Sequence, residues 1–348
     1  MKIAVIGLNH GYKFAKDLLK MDEAVLVAVA GSDTLARERA KELQVPLFTD
    51  YKDLIEQCDL DGVIITLPNH LHAEAVQLCA AKGLDVLIEK PIASTISEGQ
   101  EMINHAQAAN IRLLVGHHRR FSAKVNKMKE IIESGLIGDL VSVHMMFALA
   151  KDPAYFHEAW RIKEGGGPLL INAAHDIDNI RYMTGLTIDQ VYASSKNHIR
   201  QHEVEDAASI LLETVEGPTM TYFVSDGVPS PWSYELTAGE NPKYPQNAND
   251  CYFFFGTKGS ISFPSMTMYT YKESQYGWDH NLQKKEFSVE ENDPMTSELR
   301  HFIDMIQKDT PPLVTGEDAL ETLKVVLAIK RSAAEKRIVN VKDKQLNV

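Results

Sequence analysis

Lys2-Ile3-Ala4-Val5-Ile6-Gly7-Leu8-Asn9-His10-Gly11 decides how the chain is read. An apolar run stops at a glycine turn, and Tyr12 to Met21 then carries apolar residues at helical spacing. Strand, glycine turn and helix in this order open a nucleotide-binding βαβ unit, in which N–H groups at the helix start face a diphosphate. The turn departs from the GxGxxG pattern. Asn9 stands for the middle glycine, Tyr12 for the last, and Gly11 comes one position early.

Working outward, strand and helix patterns alternate. A strand over Ala24 to Ala30 ends at Gly31-Ser32-Asp33. An acid at that strand end would grip ribose hydroxyls, but here Gly31 holds the position. Ser32 with Arg37 or Arg39 suits a 2′-phosphate, so NAD and NADP both stay open. Helices over Asp33 to Leu43 and Tyr51 to Gln57 flank a short strand at Pro46-Leu47-Phe48. Gly62 to Thr66 is a buried strand leading to Leu67-Pro68-Asn69-His70-Leu71-His72, and helix Ala73 to Lys82 follows. Val86-Leu87-Ile88 then delivers Glu89-Lys90-Pro91, where Pro91 restricts the backbone that aims Lys90. In open α/β sheets ligands bind beyond the carboxyl ends of such strands. Helix Ile96 to Ala109 and strand Arg112 to Gly116 close the first domain.

Residues 1–117 are thus expected to form a Rossmann domain with a doubly wound parallel sheet, and residues 118–348 an α+β domain. In the second half the pattern turns to period-two segments, Leu140 to Ala150, Asp189 to Ser195, Ala207 to Glu213, Thr219 to Ser225, Tyr252 to Gly256, Ile261 to Phe263 and Met266 to Tyr271. They predict a large, mostly antiparallel open sheet, with helix Ile171 to Met183 against it and helices Met295 to Lys308 and Gly316 to Lys336 at the end.

Composition narrows the partners. A net charge of −12 argues against nucleic acid or an anionic membrane as partner. Cys58, Cys79 and Cys251 show no metal or disulfide spacing, no stretch suits a bilayer, and Met1-Lys2 runs straight into a strand, so a soluble cytoplasmic protein is expected. The histidines His70, His72, His117, His118 and His175 lack HExxH or Cys-His zinc spacing, and no metal is expected.

Thr66-Leu67-Pro68-Asn69-His70-Leu71-His72 and Glu89-Lys90-Pro91, at the ends of successive strands, resemble the Gfo/Idh/MocA family of oxidoreductases, with Leu67 as one extra residue ahead of Pro68. His117-His118-Arg119-Arg120-Phe121 resembles the family's Asn-Arg-Arg junction with His118 for asparagine, and Trp160-Arg161 resembles a pair that reaches the cofactor. Gly165-Gly166-Gly167 precedes a helix that carries His175. The family's aspartate four residues before that histidine is replaced by Ile171, beside Asn172.

The resemblance implies NAD or NADP held by Gly7, Leu8, Asn9, His10, Gly11, Gly31, Ser32, Arg37, Thr66, Leu67, Pro68, Asn69, His72, Glu89, Lys90, Pro91, His118, Trp160 and Arg161. It implies hydride transfer at a CH–OH carbon of a sugar, cyclic polyol or related ring, with room for a carboxylate. Lys90 and His175 would move the proton, and Asn172 would orient a hydroxyl. Lys90, Arg119, Lys151, Tyr155, Trp160, Asn172, His175 and Trp232 are the substrate-binding candidates. A homodimer or homotetramer through the open sheet is implied as well. Two other readings compete: a redox-neutral enzyme with tightly held NAD, as in glycosidase-like relatives, and a non-catalytic NAD(P)-binding sensor, which the missing acid at Ile171 would suit.

Overall fold

The computed structural model describes the 348 residues apart from Glu164, Glu273, Ser274 and Val348, and the side chains of Lys344 and Asn347. The chain divides into two compact units. One comprises Met1–His118 with Pro294–Leu323, the other Arg119–Asp293 with Lys324–Leu346.

The first unit holds strands β1 (Lys2–Ile6), β2 (Val25–Ala30), β3 (Leu47–Phe48), β4 (Gly62–Ile65), β5 (Asp85–Glu89) and β6 (Leu113–Gly116). They form one parallel sheet in the order β3-β2-β1-β4-β5-β6. Between them run helices α1 (Gly11–Leu18), α2 (Thr34–Leu43), α3 (Tyr51–Gln57), α4 (His72–Ala81) and α5 (Ile96–Ala108). Ile3 to Ile6, Val63 to Ile65 and Val86 to Ile88 are buried on both faces, which is why these strands read as unbroken apolar runs. Strand order reverses between β1 and β4, and ligands in such sheets bind beyond the strand ends at that point.

The second unit contains α6 (Ala123–Glu133), β7 (Leu140–Ala148), α7 (Pro168–Ile171), α8 (Ala173–Thr184), β8 (Ile188–Lys196), β9 (Ala207–Thr214), β10 (Thr219–Ser225), α9 (Tyr234–Thr237), β11 (Tyr252–Gly256), β12 (Gly259–Phe263), β13 (Thr267–Thr270) and β14 (Gln283–Glu286). With β15 (Val339–Asn340) the strands make a nine-stranded open sheet, antiparallel except where β10 runs parallel to β7. α/β and α+β halves therefore stand as the sequence predicts.

One expectation is corrected, the continuity of a helix in the second unit. In the first unit, α10 (Pro294–Lys308) and the start of α11 (Gly316–Glu335) lie with Met1–His118. Their apolar residues find a seat there: a Cβ on Gly62 would lie 2.7 Å from Ile306 and 3.0 Å from Phe302, and one on Gly99 would lie 2.8 Å from Leu320. The helix carrying His175 is not continuous from Ile171. It is two helices broken at Asn172, the first opened by Gly167 and Pro168.

Candidate functional site

Apart from Trp160 and Arg161, which belong to the second unit, the cofactor candidates lie in the first unit at and after the carboxyl ends of its strands. Gly7 has φ +86°, and a Cβ there would stand 2.5 Å from the Thr66 carbonyl oxygen. Gly11 is equally enclosed, 2.7 Å from Val5 and 2.8 Å from the Thr66 hydroxyl, so it performs the close helix-to-strand packing that the pattern's last glycine would perform. Thr66 binds the turn together: Oγ1 donates to the Gly7 carbonyl at 2.6 Å and accepts from the Gly11 N–H at 3.1 Å. Exposed Asn9 and His10 lead into the N-terminus of α1, whose dipole favours an anion. The Leu8 side chain is buried, and its carbonyl accepts from Arg39, which lies 4.7 Å over the Tyr12 ring.

Beyond β2, Asp33 caps α2 by accepting from Ala36 N at 2.6 Å, and Ser32 and Arg37 are exposed. A Cβ on Gly31 would lie 2.6 Å from Ala36. After β4, Leu67 is half-buried, whereas Pro68 and Asn69 are exposed. His72 differs from its neighbours. It is fully buried, with Nδ1 3.1 Å from the Ile92 carbonyl and Nε2 2.9 Å from the Leu67 carbonyl, so it braces two loops from behind. Burial pushes its pKa down, while the bonds to the Leu67 and Ile92 carbonyls and the charge of Glu89 pull it back up.

At the end of β5, Glu89 Oε1 lies 2.8 Å from His10 Nε2, and Oε2 accepts from Lys90 N at 3.2 Å. Burial alone would raise the Glu89 carboxyl, but His10, Lys90 and His118 together outweigh it and hold the pKa at about 2. Half-buried Lys90 and Pro91 thus follow a fixed negative charge. Glu298 of α10 is also fully buried near Glu89 and is pushed well above the usual carboxylate range, first by burial and then by Glu89.

In the second unit the candidates surround α7 and α8. His175 and Asn172 are half-buried, and His175 N donates to the Asn172 carbonyl at 3.1 Å. Behind them Asp176 is fully buried, accepting from Arg119 at 2.7 Å, Tyr222 at 2.6 Å and Tyr252 at 2.5 Å. Burial pushes its carboxyl up, and Arg119 pulls it back. Arg119 also pairs with Glu235 and lies 4.0 Å over Tyr234, so its guanidinium is committed inside the unit. Arg120 holds Asp178 through two bonds at 2.8 and 2.6 Å. Lys151 sits 2.9 Å from Asn172 Oδ1, with Tyr155 4.6 Å below it. Arg161 lies 3.9 Å over Tyr155 and donates to its carbonyl, and Trp160 and Trp232 are exposed. The arrangement presents donors and one imidazole on a rigidly ion-paired helix.

Residues 1–117 match the oxidoreductase family model with an NAD-binding Rossmann fold, and residues 125–262 match the GFO/IDH/MocA C-terminal domain. The chain belongs to the Gfo/Idh/MocA oxidoreductases. Among the family's members, myo-inositol 2-dehydrogenase of Thermotoga maritima is 29% identical over 99% of both chains. The 2,7-anhydro-N-acetylneuraminate hydratase of Mediterraneibacter gnavus is 27% identical over 58% of this chain and 54% of its own. The structure of scyllo-inositol dehydrogenase from Lactobacillus casei with NAD(H) and scyllo-inositol shares the fold, with TM-score 0.77, 23% identity and coverage of 98% and 99%.

In this Gfo/Idh/MocA chain the strand-end residues named from the sequence are held by partners that the sequence reading did not name. The His10 to Glu89 pair joins two motifs read separately. Asp176 and Asp178 stand beside His175 in sequence, and two acids there opposite Arg119-Arg120 are the signal from which both ion pairs could have been read. Nothing local announces Tyr222, Tyr252 or Glu298.

Proposed function

We propose that this protein transfers hydride between NAD(P) and the CH–OH carbon of a cyclic polyol, sugar or related hydroxylated ring, with Lys90 and His175 moving the hydroxyl proton. The observation that carries the reading is the end of β5, where Lys90 follows an ionised Glu89 flanked by His10 of the glycine turn and by His118. Gly7, Gly11, Thr66 and the α1 N-terminus fit a dinucleotide, since side chains at either glycine would collide with the Thr66 segment. When bound, NAD(P) supplies the hydride acceptor or donor. Lys90 or His175 takes the proton as the hydroxyl is oxidised and returns it in reduction, while Asn172 orients an oxygen. Asp33 is engaged as a cap and Ser32 and Arg37 are exposed, which supports acceptance of NADP beside NAD.

The inositol dehydrogenase relative supports a polyol, and Lys151 leaves room for a carboxylate. The unengaged sheet face carries Tyr192 beside Leu211, and Phe255 and Tyr269 on either side of Ser260, a face suited to a homodimer or homotetramer. Free Cys58, Cys79 and Cys251 fit a cytoplasmic setting, and no helix among the described residues is long and apolar enough to cross a membrane. The hydratase relative favours a second reading, in which tightly held NAD serves a redox-neutral reaction.

The test is fluorescence titration with NAD, NADH, NADP and NADPH, followed by a polyol and sugar-acid screen of wild type and Lys90→Ala. Turnover lost in Lys90→Ala with cofactor affinity kept supports the dehydrogenase. Product formation without net change in nicotinamide absorbance selects the redox-neutral enzyme, and binding without any turnover selects a sensor.

A further inference from the structure

Asn172 occupies the break between α7 and α8, so neither helix dictates its amide orientation. Lys151 does. Its ammonium lies 2.9 Å from Asn172 Oδ1 and 3.1 Å from Asp226 Oδ2, and Asp226 is itself buried and paired with Arg200. An ammonium can only donate, so the amide must turn its oxygen toward Lys151. Among the described residues Asn172 Nδ2 has no hydrogen-bond partner, and both its N–H groups stay available.

We infer that Lys151 is a positioning residue for Asn172, fixing the amide so that the site offers two N–H donors to an electron-rich substrate oxygen. One turn before His175 this chain has the apolar Ile171, and the neighbouring polar group, Asn172, is set as a donor. A donor cannot take a proton, but it stabilises charge on an alkoxide or carbonyl oxygen at the reacting carbon, or on a carboxylate elsewhere in the substrate. The substrate half of the inference rests on the dehydrogenase reading; the amide orientation does not.

The arrangement depends on the charge of Lys151. Burial lowers its pKa and Arg200 lowers it further, while Asp226 and Glu235 raise it, and the Tyr155 ring faces it. A neutral amine has a lone pair and would accept from Nδ2, releasing the amide to rotate.

Protein carrying ¹⁵N-asparagine tests this directly. The Asn172 side-chain signals, identified by their loss in Asn172→Ala, should move with pH below the ordinary lysine value and stop doing so in Lys151→Met. Unchanged titration in Lys151→Met, or none in wild type, overturns the inference. With a substrate that the wild type turns over, Lys151→Met and Asn172→Ala should each lower kcat/KM by roughly 10- to 100-fold, the double variant should be no worse than Asn172→Ala, and Lys151→Arg should recover part of the loss. Losses that multiply overturn the inference. A loss in kcat assigns the donors to the reacting oxygen, and a rise in KM confined to carboxylated substrates assigns them to the carboxylate. If wild type turns over nothing, the dehydrogenase reading fails while the amide titration still decides the positioning role.

Discussion

Glu89 offers a quantitative test of how the strand-end cluster is held. Its side chain is only 12% exposed, yet His10, Lys90 and His118 hold its pKa at about 2 against an ordinary 4.5. That gap corresponds to roughly 3 kcal/mol of folding stability. Because the folded value is depressed, the contribution is complete above about pH 4.5 and disappears as pH falls toward 2. Urea unfolding of wild type and Glu89→Gln, compared from pH 6 to pH 3, isolates this carboxyl from the others. The stability difference should shrink by about 2 kcal/mol by pH 3. His10→Ala should shift the loss to higher pH by removing the first of the attractive partners. A wild-type to Glu89→Gln difference that stays flat from pH 6 to pH 3 would refute the reasoning.

Asp176→Ala should cost about 3–5 kcal/mol because it removes one of the two carboxylates that hold buried Arg119 and leaves the Tyr222 and Tyr252 hydroxyls without their acceptor, and Tyr252→Phe about 1.5–3 kcal/mol; urea unfolding of each variant checks both. Gly7→Ala should cost more than about 1–2 kcal/mol, since a left-handed backbone is joined by a collision with the Thr66 carbonyl, and it should weaken NAD binding in the same fluorescence titration. Arg37→Ala should weaken NADP roughly 10- to 100-fold and leave NAD nearly unchanged, which parallel titrations of the two cofactors would show.

The first sheet was legible because its central strands β1, β4, β5 and β6 are buried on both faces almost throughout and each crossover is helical, so composition and periodicity agree from Lys2 to Gly116. The return of α10 was not. Its apolar stripe predicts a helix, but nothing in the stripe says which core receives Leu299 and Phe302; that is set by the bare surface at Gly62, far away in sequence. β14 escaped notice because Gln283-Lys284-Lys285-Glu286 is exposed on every side and has no apolar period, and β15 is two residues long. Gly167-Pro168 signalled the start of α7, but the break at Asn172 has no glycine or proline of its own, and Ala173-Ala174 beyond it continue a helical pattern. Arg119 looked available because its sequence neighbours are basic and polar, while Asp176 and Glu235 that enclose it lie 57 and 116 residues away.

The seating of α10 on Gly62 has a consequence during synthesis. The sheet of the first unit is complete once Gly116 has left the ribosome, but the helix covering its outer layer comes about 180 residues later. At 5–20 residues per second that surface waits roughly 10–35 s before Phe302 and Ile306 arrive to shield it. A nascent chain in that interval presents a sticky, half-finished domain, so translation speed and chaperone supply should govern the yield of folded protein more strongly than the stability of the finished molecule does.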